Sequence, residues 1–265
     1  MTACFCVQLA VGPRAHAEAA ADTYADGGRL GGVADWRGEA DRWWAQVLGV
    51  LAAAMHTGGV FPASHFDHAG IVAVAGAAAP LVYGPLGTRA ALRRMLEDAG
   101  RAGALDGGHL AALLGPRAGG VLGPAWYGYA TAVTLPALHH PRVRPLTRAD
   151  LPLLDRLHEQ TPRAERDESG TDGLPAFGYL EDDALLSVAC LGMWREMPTI
   201  GVLTHPQARH RGLAPAVVSA AARAGLTRRP VVQYRARRAN TASIAVAERA
   251  GFTHYCDGLI IDLIP

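Results

Sequence analysis

The chain has 265 residues, half of them hydrophobic, which is enough for one large domain or two ordinary ones. Its 25 basic and 24 acidic residues nearly cancel, and without a basic tract there is no electrostatic case for nucleic acid binding. Every basic residue is Arg, which, beside so much Ala and Gly, reads as the coding bias of a GC-rich genome.

Met1 to Ala10 has no basic residue ahead of its apolar run, which argues against a secretory signal. No apolar stretch approaches the ~20 residues of a membrane span; Val47 to Met55 is too short. Cys4, Cys6, Cys190 and Cys256 fit neither a disulfide framework nor a zinc site, so a cytoplasmic protein with reduced thiols and no metal is expected. Gly38 to Met55 predicts a helix, with Trp43, Trp44, Val47 and Leu51 at helical spacing. His65-Phe66-Asp67-His68 offers metal-ligand types but no third ligand, and polar turn residues are the commoner explanation. Gly70 to Ala75 and Pro80 to Tyr83 read as short buried strands, and Thr88 to Ala99 as an amphipathic helix with Thr88 capping it and Gly100 beyond its end. His109 to Leu114 is a weaker helical piece, and Gly119 to Tyr129 fits a strand or a packed loop.

Two prolines flank polar residues in Leu135 to Pro141, as in a linker. The expected division is therefore an α+β domain over residues 1–137 and a second domain over 138–265. A strand at Arg142 to Leu146 leads through Thr147 and Asp150 into an amphipathic helix ending near His158. Thr161 to Pro175 is polar; Glu165, Asp167, Glu168 and Asp172 read either as a solvated acidic loop or as the wall of a site for a cation. Ala176 to Leu180 and Ala184 to Cys190 form a hairpin around Glu181-Asp182-Asp183.

The most informative stretch runs from Thr199 to Phe252. A β-branched strand, Thr199 to Thr204, meets Pro206, and Arg209, His210, Arg211 and Gly212 crowd the turn before an apolar helix from Leu213 to Leu226. Such a turn presents unpaired backbone N–H groups and the positive end of a helix dipole, a seat for a phosphate; the plainer reading is a solvated basic turn. Gly212 lets backbone approach a ligand with no Cβ between them, and Pro215 sits in the first turn, where a missing N–H costs little. Val231 to Arg235 then reads as a strand, Asn240 opens another helix that closes on Gly251-Phe252, and Leu259 to Ile264 is a final strand.

Arg209-His210-Arg211-Gly212-Leu213-Ala214 resembles the Arg/Gln-x-x-Gly-x-Gly/Ala loop of the GNAT N-acetyltransferase superfamily, and the Asn-led helix closing on Gly-Phe is similar to its second signature. The resemblance covers Arg142 to Pro265 and implies a mixed sheet flanked by helices, an α/β (α+β) fold; residues 1–137 are expected to be a diverged, GNAT-like α+β unit that binds no cofactor and either shapes the acceptor cleft or forms a homodimer. It further implies that acetyl-CoA is the co-substrate and an amine of a small molecule or peptide the acceptor. Arg209, His210, Arg211, Gly212, Leu213 and Ala214 would then cradle the diphosphate. Val202, Leu203 and Thr204 would line the pantetheine arm, and Asn240 and Ser243 would face it from the second helix.

Many members carry a Tyr in that helix as acid for the leaving thiolate, at the position that Ala247 fills here. Tyr255 and Cys256, on the next strand, are the substitutes within reach in sequence unless they are simply core. Glu196, just before the central strand, is the nearest carboxylate for the base, with a water chain as the alternative. The missing Tyr keeps open a non-catalytic, cofactor-binding role, and a longer acyl group is a further alternative.

Overall fold

The computed structural model describes residues 35–102 and 105–264. Met1 to Ala10, with Cys4 and Cys6, lies outside them. Helix α1, Trp36–Leu48, starts where the Asp35 carboxylate accepts from the Gly38 N–H at 3.1 Å, and it stops at Gly49, whose left-handed φ of 66° closes the last turn. The helix expected to reach Met55 therefore breaks here; Leu51 is 82% exposed and the short α2, Ala54–Thr57, is a separate turn. Three strands follow, β1 (Gly59–Pro62), β2 (His68–Val74) and β3 (Leu81–Gly84), then α3 (Arg89–Ala102), α4 (Gly107–Leu114) and β4 (Ala118–Ala130). Thr88 does not cap α3: its hydroxyl donates to the Pro85 carbonyl, and the helix runs on through Gly100.

The second part begins with β5 (Val143–Pro145), α5 (Leu151–Glu159) and α6 (Arg163–Ser169). Then come β6 (Ala176–Glu181), β7 (Ala184–Trp194), β8 (Met197–Thr204), α7 (Leu213–Leu226), β9 (Val232–Arg237), α8 (Thr241–Arg249) and β10 (Thr253–Leu263). The entry to α5 is held by a capping box in which Thr147 and Asp150 satisfy each other's backbone, while Asp150 also takes two bonds from Arg144 at 2.7 and 2.9 Å. The β6–β7 turn rests on Asp182 and Asp183, both at positive φ, a geometry Asp tolerates. Helix α6 lies inside the stretch that reads as polar loop, because its seven residues carry no apolar stripe.

Among the described residues, ten strands form one mixed sheet in the order β1-β3-β2-β10-β4-β9-β8-β7-β6-β5. Strand β4, from the first half of the chain, lies antiparallel between β9 and β10, pairing Tyr127 with both Arg235 and Cys256. The sheet therefore runs across the 137/138 division suggested by the linker-like composition. Helices α7 and α8 cover one face, with Val217, Val218, Ala221 and Ala222 fully buried over Trp126, Val232 and Tyr234. On the other face α1 packs Trp43 and Trp44 on Tyr127, Met197 and Trp194, and α5 sits over β6–β8. Each fully buried aliphatic side chain contributes about 1.5–3 kcal/mol, so these layers dominate the energetics. Among the described residues, no helix is long and apolar enough to cross a membrane.

Candidate active site

Strands β8 and β9 are parallel but pair only at Thr199 with Gln233 and Ile200 with Tyr234. Beyond Ile200 each is held by its other neighbour, β7 or β4, and the two diverge. The wedge between them opens a cavity of about 710 Å³ on the α7 side. Val202, Leu203 and Thr204 line it from β8, Arg209, His210, Gly212, Leu213 and Ala214 from the loop, and Asn240 and Ser243 from the start of α8.

Gly212 is the N-cap of α7 at φ 75°, and no side chain caps the helix, so its first amides face the cavity mouth without a capping acceptor. A Cβ at Gly212 would meet nothing within 4 Å; the backbone angle and the approach of a ligand, not crowding, call for glycine. Arg209 lies at the same mouth, paired with Glu165 of α6 at 2.5 Å. Arg211 behaves differently from the expectation: it turns away to Glu181, at 2.8 and 3.2 Å, and does not line the cavity. Asn240 does cap α8, its side-chain oxygen accepting from the Ser243 N–H at 3.1 Å, while still facing the cavity. Uncapped helix amides, an arginine and an apolar wedge lined by open strand backbone fit a diphosphate with a long thin arm.

A second cavity of about 270 Å³ opens on the opposite face of the sheet. Glu168, Ser169, Ile200, Gly201, Arg235, Asn240 and Ser243 border both cavities, so the wedge joins them. Gly201 makes this possible: a Cβ there would stand 2.3 Å from the Ser169 carbonyl oxygen, so only glycine lets the end of α6 cross the strand. Of the acidic residues of 161–175, Glu168 and Asp172 line this second cavity, and Glu168 pairs with Arg237 of β9 at 2.8 Å. Glu165 lies on the first cavity, and Asp167 faces Arg163 and Arg166 instead, at 3.5 and 3.8 Å.

The catalytic candidates fare less well. Glu196 stands at the tip of the β7–β8 hairpin at φ 65°, 79% exposed and paired with Arg229 at 2.9 Å, outside both cavities. A strand start is adjacent in sequence to the site but lies at its far end in space. The Tyr255 hydroxyl donates to Asp41 of α1 at 2.6 Å inside the other core, and burial drives its pKa far up. Ala247 is fully buried under α8 and faces neither cavity.

The hydroxyl that sequence reasoning missed is Tyr234. It lines the larger cavity from β9, its oxygen 2.9 Å from that of Ser243, and burial pushes its pKa up to about 12. The alternation of Val232, Tyr234 and Ala236 on one face of β9 was the available signal.

Residues 184–253 match the family model described as an acetyltransferase (GNAT) domain. These residues carry a GNAT fold. The matched segment runs from β7 through the Gly212 loop, α7, β9 and α8, the elements that build the larger cavity. The chain is also similar to solved structures. One is a GNAT-family acetyltransferase from Colwellia psychrerythraea, at 16% identity and a TM-score of 0.43, with 58% of this chain and 60% of that one covered. Another is a GNAT-family acetyltransferase from Novosphingobium aromaticivorans, at 21% identity and 0.43, with 55% and 66% covered. A Drosophila protein aligns over 87% of this chain and 88% of its own, at 12% identity and 0.44. The chain thus spans less than two thirds of the first two structures' lengths. Among curated proteins there is no match. Among the described residues no group of three or more His, Cys, Asp or Glu gathers as metal ligands; Asp67 and His68 simply bond each other at 2.6 Å.

Proposed function

We propose that this protein is an acetyl-CoA-dependent N-acetyltransferase, with the co-substrate in the larger cavity and a primary amine in the smaller one. The supporting observation is the wedge at Ile200–Gly201, which brings a diphosphate-type seat and a charged pocket together through one opening. When bound, acetyl-CoA supplies an activated acyl thioester. Leu213 and Ala214 amides with Arg209 would hold its diphosphate, which requires Arg209 to exchange Glu165 for the ligand. Backbone of β8 beyond Ile200 has no β9 partner and is available to pair with the arm and to polarise a carbonyl.

Glu168 and Asp172 would hold the amine as it arrives charged, and it must lose that proton before it attacks. Ser243 borders both cavities and Tyr234, 2.9 Å from it, lines the larger one, so the pair is placed to hydrogen-bond the departing thiolate. Tyr234 is neutral at pH 7 and can donate a hydrogen bond to the sulfur, but with its pKa pushed up to about 12 it is a weaker acid than a thiol of ~8.5. The proton that the thiolate finally takes up therefore comes from the amine nitrogen or water. The first half of the chain shapes the acceptor side: Trp43 donates to the Arg195 carbonyl at 3.0 Å and, with Trp44, packs on Trp194 at the cavity edge.

Release of free thiol from acetyl-CoA in the presence of a panel of primary amines tests the proposal. Amine-dependent release is expected. Tight cofactor binding with no release across the panel would favour a non-catalytic cofactor-binding protein, and release only from longer acyl thioesters would change the acyl group.

A further inference from the structure

The smaller cavity carries charge of both signs. Asp172 and Glu168 stand on one wall, at and beyond the end of α6, and Arg235 and Arg237 on the other, two residues apart on β9 and so on one face of the sheet. Their formal charges cancel. A polyamine entering here would face two guanidinium groups, and a dicarboxylate two carboxylates. A molecule bearing one ammonium and one carboxylate meets an opposite charge at each end.

The span is also set. Glu168 and Arg237 already reach each other at 2.8 Å, so a short zwitterion inserted between the walls replaces this contact with two of its own. Arg235 donates to the hydroxyl of Tyr127, its cross-strand neighbour on β4. At about 270 Å³ the space is close to the share of nine water molecules in the liquid, a scale that suits a free amino acid. Met193 and Trp194 supply an apolar edge.

Resting on the acetyl-transfer reading, we propose that the acceptor is a free α-amino acid with an apolar side chain. Its ammonium lies between Asp172 and Glu168, its carboxylate lies against Arg237 and Arg235, and its side chain lies on Met193 and Trp194. In the transfer the amine nitrogen, once deprotonated, forms the new bond to the acetyl carbon. The carbon–sulfur bond breaks, the nitrogen loses its second proton, and the thiolate takes one up. The products are an N-acetyl amino acid and the free thiol.

Leucine, methionine and phenylalanine, each set against its decarboxylated amine and all against spermidine, provide the test. Thiol release should favour at least one amino acid over its amine by ~10-fold or more in kcat/KM, because a site built for a carboxylate is left with unpaired charge by the analogue that lacks it. In Arg237→Gln the ratio of amino acid to amine should fall toward one. Equal or better turnover of the amines, or a preference for spermidine, overturns the proposal while leaving acetyl transfer intact. Calorimetric titration of the same compounds into the protein saturated with coenzyme A gives a readout independent of turnover. Amino acid binding without thiol release supports the acceptor assignment and counts against the transfer reading; no preference for the amino acids in binding or turnover overturns it.

Discussion

Gly212 carries the sharpest consequence of the site at the scale of single residues. Asp tolerates the left-handed φ of 75° better than most side chains, and a Cβ there meets nothing, so Gly212→Asp should fold. It places a carboxylate at the mouth where a diphosphate is proposed to sit. Two like charges ~4 Å apart repel by about 1 kcal/mol in water and about 4 at the protein surface, so calorimetry should show coenzyme A binding weakened by at least ~10-fold. Unchanged affinity would remove the diphosphate from this loop.

Asp150 gives a pH signature. Bonds from the Arg144 guanidinium, and then from the Thr147 backbone, hold its carboxyl well below the usual carboxylate range. A depressed folded pKa gives stability that is complete above the unfolded value of ~3.9 and is lost as pH falls toward the folded one. Since Arg144 is half exposed, the group is worth roughly 1–3 kcal/mol at most. Asp150→Asn should lower Tm at pH 7, and the gap from the parent should narrow below pH ~4; a gap constant down to pH ~2.5 would contradict this. Sequence showed Asp150 at the helix start, because a capping box is local. It could not show that Arg211 turns to Glu181 or that Glu196 crowns a hairpin. Both depend on where neighbouring strands end.

Elements divide along the same line. The Gly212 loop, α7 and the Asn240-led α8 were legible because caps, turns and period lie within a few residues, and α7 begins and ends where its Leu213 to Leu226 run predicts. Helix α6 was not, since no apolar stripe marks it and its position depends on Gly201 beneath it. Helix α8 also shows what the absence of a tyrosine means here. Ala247 is packed against the α7-side core, so Ala247→Tyr inserts a ring into filled space and not into the cavity. Overpacking of this kind costs about 1–3 kcal/mol. A lowered Tm with no gain in turnover is expected; an unchanged Tm with a rate ~100-fold higher would show that this position serves the reaction as general acid.

At the scale of the molecule, β4 is the decisive strand. It was readable as a strand or packed loop from its own residues, but its place between β9 and β10 joins segments more than a hundred residues apart, which no local pattern encodes. Its consequence is that β10 has only β2 and β4 for partners. A fragment of residues 138–265 would leave β10 unpaired and β9 with an open edge. We expect it to aggregate or remain unfolded; a monomer with a cooperative urea transition would show that the second half stands alone. The same continuity places Tyr127 beside Arg235 and the α1 tryptophans against Trp194, so the first half of the chain bears on the smaller cavity.

The wedge between β8 and β9 as the co-substrate's seat is the claim on which the functional account rests, and a crystal structure of the protein grown with coenzyme A tests it most directly. The account predicts diphosphate density against the Leu213 and Ala214 amides, with Arg209 released from Glu165, and the arm running along Val202 to Thr204 toward Ser243. Density for coenzyme A elsewhere, with the Arg209–Glu165 pair intact and the wedge empty, would contradict it.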